Sequence, residues 1–349
     1  MHVQQQIEDN LVVETEVLKT KESIENEFTQ IRSWASNFLQ NQSFYTATLE
    51  ENKAKNRYKD VLPYEDTRVK LEVKNQQESD YINGNYIRLS SNEHHKAEYI
   101  SCQAPVPATF YDFWRMVVEQ KISIIVMLTN LIEGEKQKAH QYWPNHGEKK
   151  RFKNLIISSV SSNFFNSLAI RYFRIYVISP SNGKVIMKRD IYHLQFTEWD
   201  DMSVPASSFG IRQLTQLTNF CYHDILSKSK ANHSTNSSGN SSDAAELNPI
   251  VVHCSAGIGR AGTFIAIHQA INQLFIGLSN DLSPKDIVNS INIPTIVQIL
   301  RSQRMGMVQT YDQYYFIYQT LFEQLKQSLF SKSLQNSSVS ERSTPPSPL

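Results

Sequence analysis

In the stretch VVHCSAGIGRAGTF, Val251–Phe264, a cysteine and an arginine are separated by five residues, two of them glycine. Upstream, NPIVVH is apolar and β-branched, as in a buried strand; downstream, AGTFIAIHQAINQLF carries apolar residues at helical spacing. The segment Cys254-Ser255-Ala256-Gly257-Ile258-Gly259-Arg260 is therefore a strand-to-helix loop. Such a loop turns backbone N–H groups toward one point beside the positive end of a helix, which makes a cradle for an anion. Gly257 and Gly259 permit the backbone conformation and close approach that a cradle needs, and Arg260 adds a planar fork for two phosphate oxygens. A thiolate is itself an anion that these donors would hold, so Cys254 reads as a nucleophile. A lone cysteine at a strand end is ordinarily a small buried hydrophobe, the reading given to Cys102 and Cys221. The spacing, the glycines and the strand-loop-helix context set Cys254 apart.

The elements that must position this loop are legible in outline. Strand-like runs, RVKLEV, NYIRLS, EYISCQA, SIIVMLT, IRYFRIYVI and IYHLQF, occupy positions 56–205 between turn residues and predict a large sheet. PATFYDFWRMVVEQ, SFGIRQLTQLTNFCYHDILSK and segments 284–292, 294–303 and 310–326 have helical spacing. Within 5–50, Ile24, Phe28, Ile31, Trp34 and Phe38 recur at intervals of three and four, predicting a helix packed on the main domain. Strands mixed with packed helices place the fold in the α/β (α+β) class. Two stretches have almost nothing to bury: SKSKANHSTNSSGNSSDAAEL, 227–247, read as a low-complexity surface insertion, and the Ser/Pro-rich C-terminal tail, which carries Ser/Thr-Pro sites.

The 349 residues carry a net charge of +1, which gives no global reason to expect nucleic acid or an anionic membrane as partner. Three scattered cysteines suit neither a disulfide framework nor a CxxC metal site, and point to a reducing compartment, cytosol or nucleus. No signal-peptide pattern opens the chain, and ISIIVMLTNLI is too short to cross a bilayer, so no membrane anchor is expected. The N-x-S sequons read as a by-product of Asn/Ser-rich segments.

HCSAGIGRAG resembles the signature HCSAGxGRxG of the tyrosine-specific protein tyrosine phosphatases, of the non-receptor type. Further segments resemble the family's in the family's order: KNRYKDVLPYEDTRVKL its phosphotyrosine loop, DYINGNYI its DYINA-type segment, YISCQAPVPATFYDFWRMVVEQ its QGP-type segment, EGEKQKAHQYWP its lysine-bearing loop, EWDDMSVP its mobile acid loop, and VQTYDQYYFIY its glutamine loop. The resemblance implies a highly twisted mixed β-sheet flanked by helices, with a catalytic domain over 25–326, an N-terminal helical or flexible extension over 1–24 and a disordered tail over 327–349. It implies no metal or cofactor, phosphotyrosine proteins as substrates, a cytoplasmic setting and a monomer. Residue by residue, it implies that Cys254 attacks phosphorus while the loop amides and Arg260 bind the equatorial oxygens. Asp201 matches the general acid, aligned by Trp199 before it and by Val204 and Pro205 after it. Gln309, with Gln313 beside it, matches the glutamine that positions water. Tyr58 matches the wall of a phosphotyrosine-deep pocket and Asp60 the carboxylate that takes the substrate backbone. Glu133 would hold Arg260, Lys138 would support the acid loop, and His253, bonded to Tyr142, would tune the cysteine environment.

The departures are specific. Where the family has Trp-Pro-Asp, this chain has Trp199-Asp200-Asp201; the usual glycine two residues past the acid is Ser203; and the Ser or Thr after the arginine is Ala261. Losing the proline frees a φ angle and adds a carboxylate, which is expected to disfavour loop closure or make it pH-dependent. A catalytically weak phosphotyrosine-binding module is the competing reading, because a cradle can bind a phosphate that it turns over slowly. A phosphoinositide or phosphoserine phosphatase is disfavoured by the deep pocket that the Tyr58 region implies.

Overall fold

The computed structural model describes residues 19–75, 78–89, 98–234 and 248–342. Its strands are β1 (Arg68–Lys70), β2 (Tyr81–Ile87), β3 (Tyr99–Cys102), β4 (Ile124–Met127), the short hairpin β5 (Ile132–Glu133) and β6 (Lys136–Gln137), then β7 (Lys149–Phe152), β8 (Leu155–Phe165), β9 (Leu168–Ile178), β10 (Val185–Phe196) and β11 (Ile250–His253). Nine of them form one sheet in the order β1-β2-β3-β11-β4-β10-β9-β8-β7. The four central strands β3, β11, β4 and β10 run parallel, and the flanks are antiparallel, so the sheet is mixed. All four residues of β11 are buried, as expected of a central parallel strand whose sequence is a continuous β-branched run.

The helices of seven residues or more are α1 (Lys21–Leu39), α2 (Phe110–Glu119), α3 (Phe209–Ser234), α4 (Gly259–Ser279), α5 (Pro284–Ser290), α6 (Ile293–Gln303) and α7 (Tyr311–Arg342). Helix α4 leaves the cysteine loop and is buried nearly all round, packed by α3, α5, α6 and α7. Strand alternation divides the core in two. Ile250, Val252 and Cys254 face the α4 side, whereas Val251 belongs to the α2 side, where the His253 ring lies against Phe113 and Tyr142. One peptide bond thus links a cysteine on one face of the sheet to a histidine on the other.

Three elements differ from the pattern in the sequence. The helix expected from position 5 begins at Lys21, where the Thr20 hydroxyl accepts from the Ser23 amide; residues 1–18 lie outside the described residues. Helix α3 continues through Ser234, eight residues into the stretch read as a loop, in a run of Lys and Ala with an Asp224–Lys228 pair one turn apart; residues 235–247 lie outside the described residues. Helix α7 continues through Arg342 into the stretch read as tail, where Lys332 pairs with Asp281.

Three histidines are fully buried and neutral. Burial pushes His253 and His268 down to about 4, and His193 well below its usual value. The unfolded chain protonates these rings near pH 6.5 and the folded one does not, so their contribution is present above that pH and lost as pH falls toward 4. Urea unfolding should show stability dropping between pH 7.5 and pH 5 by about 2 kcal/mol for each such histidine, and His268→Gln should flatten that dependence.

Candidate active site

The loop after β11 is held inside out. Its carbonyls are taken from behind: Ser255 O by the Ala104 amide at 3.0 Å, Ala256 O by Arg304 Nη2 at 2.9 Å, Gly257 O by Arg304 Nε at 2.8 Å and Ser101 Oγ at 3.0 Å, and Ile258 O by the Val308 amide at 3.2 Å. The amides of Ser255, Ala256 and Ile258 take no backbone partner among the described residues. The Gly257 amide donates to Cys254 Sγ at 3.2 Å. Gly257 has φ 73°, and a Cβ there would meet the Cys102 carbonyl oxygen at 2.0 Å, so only glycine fits. A Cβ at Gly259 would press on Gln309 and Gln313. Ala261 is fully buried behind the loop and offers no donor.

Behind the cysteine the hydrogen bonds have a forced direction. His253 Nδ1 donates to the Cys254 carbonyl at 3.1 Å, so in the neutral ring Nε2 must accept, and the Tyr142 hydroxyl donates to it at 2.8 Å. The Tyr142 oxygen then accepts from His193 Nε2 at 2.9 Å. Cys102 and Cys221 differ in kind from Cys254: both lie away from the cavity, and burial pushes each up to about 12.

In front of the loop lies a cavity of about 190 Å³ lined by Cys254, Ser255, Ala256, Ile258, Gly259 and Arg260, together with Tyr58, Asp60, Lys138, Asp201, Gln309 and Gln313. The Tyr58 hydroxyl donates to Ser255 Oγ at 2.8 Å, which donates to the Lys138 carbonyl at 2.7 Å. Gln313 is buried, and its Oε1 accepts from the Gln309 amide at 2.9 Å. Glu133, Tyr142, Trp199 and His253 stand behind this lining. Arg260 is 2% exposed; its Nη1 donates to Glu133 Oε1 at 2.5 Å and to the Trp199 carbonyl at 2.7 Å, and its Nη2 to Asp201 Oδ1 at 3.2 Å. Asp201 is also bonded to Lys138 Nζ. Burial pulls the Asp201 carboxyl upward, but the Lys138 hydrogen bond and the Arg260 charge outweigh it and hold the group below the usual carboxylate value. Asp200 lies outside the cavity lining and is exposed. In this loop the left-handed residue is Met202, φ 58°, while Ser203 closes its hydroxyl on the Asp200 carbonyl at 2.9 Å and accepts Trp199 Nε1 on its own carbonyl at 2.8 Å.

Residues 52–323 match the family model described as protein-tyrosine phosphatase. The chain belongs to the protein-tyrosine phosphatase family. It is 37% identical over 324 residues to tyrosine-protein phosphatase 3 of Dictyostelium discoideum, covering 90% of this chain and 30% of that protein. It is 31% identical over 315 residues to the protein-tyrosine-phosphatase PTP1 of Arabidopsis thaliana, covering 88% of this chain and 82% of that one. It spans only 19% of the human receptor-type tyrosine-protein phosphatase eta, at 35% identity. Among solved structures, the catalytic domain of human protein tyrosine phosphatase non-receptor type 18 matches with a TM-score of 0.70 and 27% identity, over 91% of this chain and 99% of that chain. The phosphatase fold expected from the motifs is the fold observed.

Sequence reasoning missed the residues that turn the loop inside out. Arg304, fully buried with no carboxylate partner among the described residues, also donates to Asn85 Oδ1 at 2.6 Å and Asn83 Oδ1 at 2.8 Å. Arg301 holds the Met307 and Val308 carbonyls, just before Gln309, where Val308 has φ 58°. The signal was available in YINGNYI, where two asparagines occupy a strand that is otherwise apolar and must find buried partners. Arg304→Gln should cost about 3 to 5 kcal/mol in urea unfolding, because it orphans several buried acceptors, and should weaken vanadate binding by more than Asp60→Asn does.

Proposed function

We propose that this chain is a phosphatase for protein phosphotyrosine that works through a phosphocysteine intermediate and hydrolyses that intermediate slowly. The observation that carries the reading is the convergence on one cavity of Cys254, Arg260, Asp201 and Gln309, with the loop carbonyls tied back. The non-receptor type 18 phosphatase has been solved with HER2 phosphopeptides, which supports a phosphotyrosine peptide as the substrate here. No helix among the described residues is long and apolar enough to cross a membrane. A cytoplasmic, monomeric enzyme is part of the proposal.

In the first step Cys254 Sγ attacks phosphorus and the bond to the aryl oxygen breaks, its electron pair going to that oxygen. The incoming phosphate takes Arg260 Nη2 from Asp201, while Nη1 stays on Glu133 and the Trp199 carbonyl. The released carboxyl, facing a phosphate dianion instead of a guanidinium, is protonated and delivers its proton to the departing tyrosine. In the second step Asp201 takes a proton from water positioned by Gln309; the hydroxide attacks phosphorus, and the P–S bond breaks to return the thiolate. The loop amides and Arg260 stabilise charge on the equatorial oxygens in both steps.

Cys254→Ser should abolish turnover of a phosphotyrosine peptide, and chelator should leave the native rate unchanged. Phosphotyrosine should exceed phosphoserine peptides in kcat/KM, since the shorter side chain cannot carry phosphorus from the level of Asp60 to Cys254; comparable rates would overturn the specificity. Asp201→Ala should lower kcat by about 10²- to 10⁴-fold and Asp200→Ala far less; the reverse ranking would show that Asp200 is the acid.

Ala261 sets the slow step. The Gly257 amide is the one donor to Cys254 Sγ among the described residues, so a thiolate leaving phosphorus lacks a second hydrogen bond. A bond to a charged group is worth about 1.5 to 3 kcal/mol, so Ala261→Ser should speed intermediate hydrolysis by about ten- to a hundredfold. Rapid-quench kinetics should show a burst of product tyrosine in the native protein and none in the serine variant. A native protein without a burst, and a serine variant no faster, would show that another group assists the leaving thiolate and would remove Ala261 from the account.

A further inference from the structure

A second cleft, of about 520 Å³, opens behind the acid loop, and no Asp or Glu lines it. Arg171 stands in its wall on β9, half-buried, its guanidinium 4.9 Å from the Trp143 ring and 5.6 Å from the Phe164 ring. Nη1 donates to Gln195 Oε1 at 2.9 Å and to His193 Nδ1 at 3.4 Å; Nε and Nη2 make no hydrogen bond within the described residues, and no carboxylate among them pairs with the side chain. Burial lowers the Arg171 pKa, and the nearby Tyr142 hydroxyl offsets this only in part. The buried Ser159 hydroxyl in the same wall also has no partner among the described residues. An uncompensated guanidinium in a recess is costly unless an anion completes it.

We propose that this cleft binds a small aromatic carboxylate. One guanidinium fork matches one carboxylate bidentately, whereas a phosphate dianion would find a single arginine and no second permanent cation. Trp143, Phe164, Leu131 and Pro144 offer apolar surface for a flat ring, and the volume lies in the usual range for a small-molecule site. The same guanidinium is the first donor of the series Arg171, His193, Tyr142, His253 that ends on the Cys254 carbonyl. A second link runs from the cleft to the acid loop, where Asn130 Nδ2 donates to the Thr197 carbonyl at 2.8 Å, two residues before Trp199. Occupancy at Arg171 therefore bears on the cysteine loop and on the acid loop without entering the catalytic cavity.

The test is calorimetric titration of 2-naphthoate into the full chain with its catalytic loop saturated by vanadate. One site is expected, weakened by at least about tenfold in Arg171→Gln and in Phe164→Glu, which lays a carboxylate over the guanidinium, and unchanged in Arg174→Gln, a charge control whose arginine is exposed and paired with Asp190. Absence of binding, or equal binding in Arg171→Gln, overturns the site; should that variant fail to fold, Phe164→Glu on the exposed face of β8 decides. Turnover of a phosphotyrosine peptide supplies the second reading, which rests on the phosphatase function as the calorimetry does not. There 2-naphthoate should change kcat and leave KM; a competitive pattern would put the ligand in the catalytic cavity and overturn the coupling.

Discussion

The capacity of the loop after β11 to face an anion depends on what is done to its opposite side. Backbone amides can converge on an anion only if the carbonyls of the same peptide units are satisfied elsewhere, since a buried carbonyl without a donor costs as much as a lost hydrogen bond. Here Arg304, Ser101 and the amides of Ala104 and Val308 supply those donors. Arg304 itself is a cation removed from water, and two asparagine side chains and two loop carbonyls replace its hydration in place of a carboxylate. A carboxylate there would have cancelled a positive charge next to the anion site; neutral oxygens leave it standing.

The acid loop obeys the same logic of shared groups. Asp201 rests between Lys138 and Arg260, and in the proposed first step phosphate displaces it from the arginine before it acts as an acid. On that proposal the resting carboxylate occupies the nitrogen that the substrate would take. Glu133 holds the other guanidinium nitrogen, which would let one arginine serve two carboxylates and a phosphate without losing its orientation.

How much of this could be read from the sequence varied with the kind of residue. Cys254, Gly257, Gly259 and Arg260 were legible because they lie within seven consecutive positions and only one backbone arrangement suits them. Asp201, Gln309, Tyr58 and Lys138 were named through resemblance, since a single polar residue in a loop carries no signature of its own. Strand β8 escaped because Ser158, Ser159, Ser161 and Ser162 interrupt its apolar alternation, and β7 because Lys149, Lys150 and Arg151 offer no apolar alternation; both are fixed by pairing with neighbouring strands. Ser203 stands where the family has glycine, yet the left-handed residue of this loop is its neighbour Met202, a distinction that lies in φ angles and not in residue types. Arg304 gave no local cue because its partners are distant in the chain.

That distance has a kinetic consequence. Arg304 reaches Gly257 across 47 residues and Asn85 across 219. Strand β11 pairs with β3 on one side and β4 on the other, so the cradle is complete only when contacts from distant parts of the domain are in place. A chain emerging from synthesis presents Cys254 before Arg304 exists to shape its loop, and partly folded states carry the thiol without the cradle. On the proposed function, competence to bind phosphate therefore depends on contacts drawn from across the domain, and it tests the tertiary fold in a way that a measure of secondary structure does not.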